Sequence, residues 1–270
     1  MMTKLSLAAV SGVALSVLAG VVSGGSSPAH AQTGQASQIP QASTQMLVVT
    51  TADWNAVDGT MQRYERSRAG GKWKAVGDPV PVVVGKNGLG WGQGIVAVDA
   101  AVMWDGPVKK EGDGKAPAGV FSLSSVFGYA AEKPGGWKMP YTALTPSIEC
   151  VDDTASKFYN RVVDRSTVSP DWKSSEQMRR PDELYTWGVV VDHNSNPVAP
   201  GWGSCIFLHV WRGQGKPTVG CTAMAQPILE SVIAWLDPAK QPILVQLPAV
   251  GYERLRKRWK LPKVNPISQH

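Results

Sequence analysis

His209 and Cys221 lie twelve positions apart, separated by a return that carries three glycines and a proline before the thiol. A thiol becomes a nucleophile as its thiolate, and an unperturbed cysteine titrates near pH 8.5. A neighbouring imidazole can take that proton and later return it to a leaving amine. Gly220, directly before the thiol, lets the backbone approach a substrate closely. Amides around Val219, Gly220 and Cys221 are candidates for holding an oxyanion. These residue types in this order point to acyl transfer on an amide.

The elements that must position the pair read as strands. Residues 204–210 form an apolar run whose alternation puts Cys205, Phe207 and His209 on one face and Ile206, Leu208 and Val210 on the other. Further β-branched or alternating runs cover 46–51, 60–67 (after an Asp58-Gly59 turn), 72–76, 80–84, 120–123, 187–191 and 242–247. Stretches 85–94 and 109–118 read as loops. Stretches 152–163 and 174–178 carry helical character. The strongest helix spans 226–236: Ile228, Leu229, Val232, Ile233 and Leu236 share a side, Pro227 suits the first turn and Pro238 closes it. The expectation is a mainly β protein with one domain over 46–247 and a few short helices. No fixed-period repeat is present.

Hydrophobic residues make up 43% of the chain and charged residues 18%, a globular rather than a disordered composition. Lys4, an apolar stretch over 5–22 and the small-x-small triplet Ala29-His30-Ala31 read as a cleaved signal peptide over 1–31. The reading is export to the periplasm, with no stable membrane anchor after cleavage and a linker over 32–45. In an oxidising compartment three cysteines leave an odd thiol. Either Cys150 and Cys205 are bridged and Cys221 is free, or Cys150 and Cys205 are buried unpaired as small hydrophobes. The net charge is +6, and Arg254, Arg256, Lys257, Arg258, Lys260 and Lys263 concentrate it in a basic tail over 248–270. That run is a solvated face or a contact with the anionic envelope. No nucleic-acid recognition motif accompanies it, so nucleic acid is not an expected partner.

Other residues are candidates around the pair. His193, in Asp192-His193-Asn194, ends the strand beside 204–210 and either lines the cleft or belongs to a turn. Trp187, Trp202 and Trp211 are candidates for stacking on sugar or peptide. The Pro-rich stretch 134–146, with Tyr141, is either a cleft wall or a surface connection. Asp152-Asp153 reads as a capped helix start. His193, His209 and Cys221 lack the close spacing that anchors a zinc site, so no metal is expected. Stretch 85–94 lacks the ending of a phosphate loop.

The segment Gly203-Ser204-Cys205-Ile206-Phe207-Leu208-His209 followed by Thr218-Val219-Gly220-Cys221 resembles the signature of the L,D-transpeptidase (YkuD-type) catalytic domain. Pro117-Ala118-Gly119-Val120-Phe121 is similar to that family's Pro-x-Gly-x-Phe segment. The resemblance implies a β-sandwich-like catalytic domain with no cofactor. It makes Cys221 the nucleophile and His209 the base, with a backbone carbonyl near Val210 orienting the imidazole. Its substrates are peptidoglycan stem peptides and glycan, and carbapenem-type inhibitors are implied ligands. Trp211, Thr218, His193, Tyr141 and Trp202 are then candidate substrate-binding residues. The family commonly follows its cysteine with an aliphatic residue and an arginine, whereas Cys221 precedes Thr222-Ala223. Arg212 is the candidate replacement for that charge. The Pro-rich loops 134–146 and 197–202 suit an altered, narrowed cleft and a non-standard cross-link, at stem position one rather than three. The alternatives are an L,D-carboxypeptidase or endopeptidase using the same pair, and a catalytically silent wall-binding module.

Overall fold

The computed structural model describes residues 38–98 and 105–264. The signal peptide expected over 1–31 and the first part of the linker lie outside the described residues. The protein is mainly β, as its sequence suggests. Strands β1 (Gln45–Thr51), β2 (Asp58–Glu65) and β3 (Lys74–Val83) form an antiparallel meander. They are followed by β4 (Leu89–Trp91) and the long β5 (Ala116–Gly128), with β6 (Tyr141–Ala143) beside it. A separate three-stranded sheet, in the order β8 (Val162–Asp164), β7 (Ile148–Val151), β9 (Ser175–Gln177), stands between β6 and the later strands in sequence. The main sheet then continues with β10 (Trp187–Val191), β11 (Phe207–Val210), β12 (Thr222–Met224) and β13 (Ile243–Pro248).

Strand β10 pairs with β11 on one side and with β5 on the other. The order β10-β11-β12-β3-β2-β1-β13-β5 therefore returns to β10 and closes the sheet on itself, which removes the free edges an open sheet would expose. Strands β1 and β13 run parallel and are buried at every position, because the outer face of the pair is covered by helix as well as the inner face by core. Helix α1 (Gln226–Trp235) buries Leu229, Val232 and Ile233 and packs on β10 and β11.

Several sequence expectations change. Residues 58–59 belong to β2 rather than to a turn, and the hairpin bend precedes them. The two short strands expected over 72–84 are one strand interrupted by an irregular register opposite Met61 and Arg63. Gly77 lies within it at φ 66°, a conformation in which other side chains are strained. Residues 152–163 are turns leading into β8, and 175–177 form β9, so neither stretch is helical.

The stretch after residue 248 is not a free tail. It folds as helix α2 (Ala249–Trp259), whose Tyr252, Leu255 and Trp259 enter the main core while its basic residues lie on the other side. Part of the expected linker is also packed: Ile39 and Ser43 are buried, and Arg66 donates to the carbonyls of Pro40, Gln41 and Ser43. Among the described residues no helix is long and apolar enough to cross a membrane.

Candidate active site

The parallel pair β11–β12 carries both chemical groups. Its register sets Leu208 beside Thr222 and His209 beside Ala223. Cys221, one step before Thr222, therefore lies beside Phe207 and shares the face of Phe207 and His209. Cys221 and His209 both line a cleft of about 570 Å³, together with Tyr185, Glu176, Arg180, Trp211 and Arg212. The expected alternation holds in the packing. Ile206, Leu208 and Val210 join the main core, while Cys205, Phe207 and Cys221 join a second cluster with Phe127, Tyr185 and Met178.

The strand begins later than expected, at Phe207. Cys205 stands at φ 56°, outside the extended region, so the ladder cannot run through it. Two ties hold it there. Cys205 is bridged to Cys150 on β7, with the Cα atoms 5.9 Å apart. Its N–H donates to Asn160 Oδ1 at 2.9 Å, while Asn160 Nδ2 donates to the carbonyls of His193 and Asn194. Left-handed conformations persist where the surroundings fix them. The consequence is local: the Cys205 carbonyl accepts from the Cys221 thiol at 3.5 Å, and the Phe207 N–H donates to the same sulfur at 3.3 Å.

The turn before the thiol is fixed by Thr218. Its hydroxyl donates to the Cys221 carbonyl at 2.6 Å and accepts from the Gly220 N–H at 3.1 Å. Thr218 is thus committed within the turn, and the Gly220 amide, expected as an oxyanion donor, already has an acceptor. The amides of Val219 and Cys221 remain the candidates, with the Val219 side chain 75% exposed at the lip of the cleft. Directly after the thiol, buried Thr222 donates to Gln246 Oε1, and Gln246 Nε2 donates to the Pro117 carbonyl. The residue at the place where an aliphatic was expected therefore ties the start of β12 to β13 and β5.

His209 Nδ1 lies 2.7 Å from the Val210 carbonyl. A carbonyl only accepts, so Nδ1 carries the proton and Nε2 is left as the basic atom. Tyr185 packs edge-on to the imidazole, with ring centroids 5.2 Å apart. Burial brings His209 down to about 4 and pushes the Cys221 thiol up to about 12, helped by the neighbouring Glu176 carboxylate. Both groups therefore rest uncharged at neutral pH.

The depressed His209 value also sets an acid response. Between 6.5 and 4 the unfolded chain binds a proton at this position and the folded chain does not, so stability falls as pH falls through that window. By pH 5 the loss from His209 is about 2 kcal/mol. Urea unfolding of the His209→Gln variant should therefore show a drop between pH 7.5 and pH 5 that is smaller than that of the parent by about this amount. Equal drops in the two proteins would mean that His209 is protonated in the folded state.

Three expected substrate-binding residues are not in the cleft. His193 is buried, with Nε2 2.8 Å from the Trp202 carbonyl and its ring against Phe121. It therefore joins the turn to the 197–202 loop rather than lining the cleft, and Trp202 serves as its acceptor. Tyr141 packs against Trp187 and donates to the Ala130 carbonyl, so the Pro-rich stretch 134–146 is a surface connection and not a wall. Trp211 and Arg212 do line the cleft, Arg212 with its side chain exposed.

The cleft is also lined by residues that the sequence did not single out. Tyr185 donates to Glu176 Oε1 at 2.6 Å. Arg180 grips Asp182 through two bonds, reaches Glu176 at 3.4 Å and lies over the Tyr185 ring. Glu111 accepts from Ser204 at 2.8 Å and from Tyr159. The Glu111 contacts join segments far apart in sequence, whereas Glu176, Arg180, Asp182 and Tyr185 lie close together in the chain. Among the described residues no group of three or more His, Cys, Asp or Glu could hold a metal ion. No family model, no curated protein and no solved structure matches the chain.

Proposed function

We propose that this protein is a cysteine acyltransferase of the L,D-transpeptidase type, which cross-links peptidoglycan stem peptides in the periplasm after removal of residues 1–31. The observation that carries this reading is the shared face of Cys221 and His209 in one cleft, with the imidazole tautomer fixed by the Val210 carbonyl. The S–H turns from the Cys205 carbonyl towards His209 Nε2 and gives up its proton as sulfur attacks a stem-peptide carbonyl. The Val219 and Cys221 amides receive the developing oxyanion. The imidazolium then protonates the leaving amine and a thioester remains on Cys221. An amine from a second stem resolves it, at the standard or a non-standard stem position. The exposed Arg212 and half-buried Trp211 hold the donor stem at the rim.

Incubating the purified protein with disaccharide-tetrapeptide muropeptides and sequencing the products by mass spectrometry tests this. New cross-linked dimers are expected. Trimmed monomers alone would replace the transferase with a hydrolase on the same pair, and no turnover by folded protein would leave a wall-binding module.

A further inference from the structure

Helix α2 has two faces of different character. Tyr252, Leu255 and Trp259 are packed in the main core. On the outer side Arg254, Lys257 and Arg258 are exposed, and Lys260 and Lys263 are exposed where the chain runs on past the helix. Half-buried Arg256 donates to Glu253 at 3.1 Å. Glu253 is the one carboxylate in this stretch against six cations, in a chain whose whole net charge is +6. The positive excess of the protein is therefore concentrated on one surface. Lys257, Lys260 and Lys263 form no ion pair with a carboxylate among the described residues.

Cations in a last turn complement the helix dipole, which accounts for residues 256–258. It does not account for Lys263, which lies beyond the cap at Lys260. The cations follow a helix about 16 Å long, so they match an extended anionic surface rather than a single small anion. Val250 is 51% exposed, and Val250, Arg254, Lys257 and Arg258 fall on one side of the helix at i, i+4, i+7 and i+8. An aliphatic group beside cations fits the headgroup layer of a bilayer. The apolar face of α2 is already spent on the core, so such contact is made by charge and not by insertion.

The topology gives this surface a direction. Helix α2 packs on β13 and β1. In the closed order β10-β11-β12-β3-β2-β1-β13-β5, β1 is four strands from β11 whichever way the sheet is followed, and β13 is four strands from β12. The strands under α2 are thus opposite the pair that carries His209 and leads away from Cys221. The catalytic cleft lies on the outer face of that pair, since the other face joins the main core. The basic surface and the cleft therefore stand on opposite sides of the closed sheet.

We propose that the outer face of α2, with Lys260 and Lys263, docks the protein on a bilayer of anionic phospholipid and turns the Cys221 cleft away from it. Lipid phosphates supply the negative charge that these cations lack within the fold. The inference goes beyond the acyl-transfer reading and stands without it.

Co-sedimentation of the full protein with phospholipid vesicles tests the docking. Vesicles of phosphatidylcholine mixed with phosphatidylglycerol should carry down far more protein than vesicles of phosphatidylcholine alone. Raising NaCl to about 0.5 M should release it, because salt screens exposed charges. The variant Lys257→Gln/Lys260→Gln/Lys263→Gln should lower partitioning by about tenfold or more, with an unchanged melting curve. Arginine at the same three positions keeps the charge and should bind as the parent does. Equal sedimentation with both kinds of vesicle, or a glutamine variant that binds as the parent does, overturns the inference. Sedimentation with insoluble wall material but not with vesicles also overturns it, and gives the basic face to a wall polymer instead.

Discussion

Replacing Cys221 by alanine should reduce muropeptide turnover by about 10⁴-fold or more, because the proposed acyl bond forms on its sulfur. Cys221 is the free thiol of the described residues, since Cys150 and Cys205 are bridged. The loss should not come from misfolding. Cys221 is buried, but the alanine side chain fits the same space, and only the sulfur with its two long hydrogen bonds is removed. A cavity of one small atom costs about 1 kcal/mol. Circular dichroism should therefore give a melting curve close to that of the parent while product analysis finds no dimers. Turnover that survives in Cys221→Ala would move the nucleophile elsewhere.

The second large effect concerns stability. The Cys150–Cys205 bridge closes a loop with a sequence separation of 55. Loop-closure entropy for that length corresponds to about 4 kcal/mol of stabilisation. For a domain of this size the double variant Cys150→Ala/Cys205→Ala should melt roughly 8–16 °C lower. The bridge also ties β7 to the residue whose left-handed backbone directs its carbonyl at the Cys221 thiol. Turnover measured well below the new melting temperature should accordingly fall as well. A melting temperature within about 2 °C of the parent would show that the small sheet is held by its packing alone.

The residues themselves explain which parts of this arrangement are readable from sequence. Strand β1 and helix α1 are written in local patterns, an unbroken β-branched run and an apolar side at helical spacing, and both form where those patterns lie. The His209–Cys221 pair is readable for the same reason, since its strand, turn and thiol are neighbours in the chain. Cys205 is not. Its local run reads as strand, but the distant Cys150 and Asn160 hold it out of the ladder. Helix α2 was hidden by its charge: six cations after residue 253 mask Tyr252, Leu255 and Trp259, which carry it into the core. The sequence leaves His193 open between cleft and turn and the stretch with Tyr141 open between wall and surface connection, and packing against Phe121 and Trp187 decides both. Glu176, Arg180 and Tyr185 lie close together in the chain, but only the fold brings them into the cleft with Cys221 and His209.

The chemistry at Cys221 is the centre of the account, and intact-mass analysis followed by peptide mapping tests it most directly. The protein incubated with a stem tetrapeptide, and quenched in acid during turnover, should carry one acyl adduct. That adduct should map to the peptide containing Cys221 and be absent from Cys221→Ala. Turnover without any adduct, or an adduct mapped to another residue, would contradict the account.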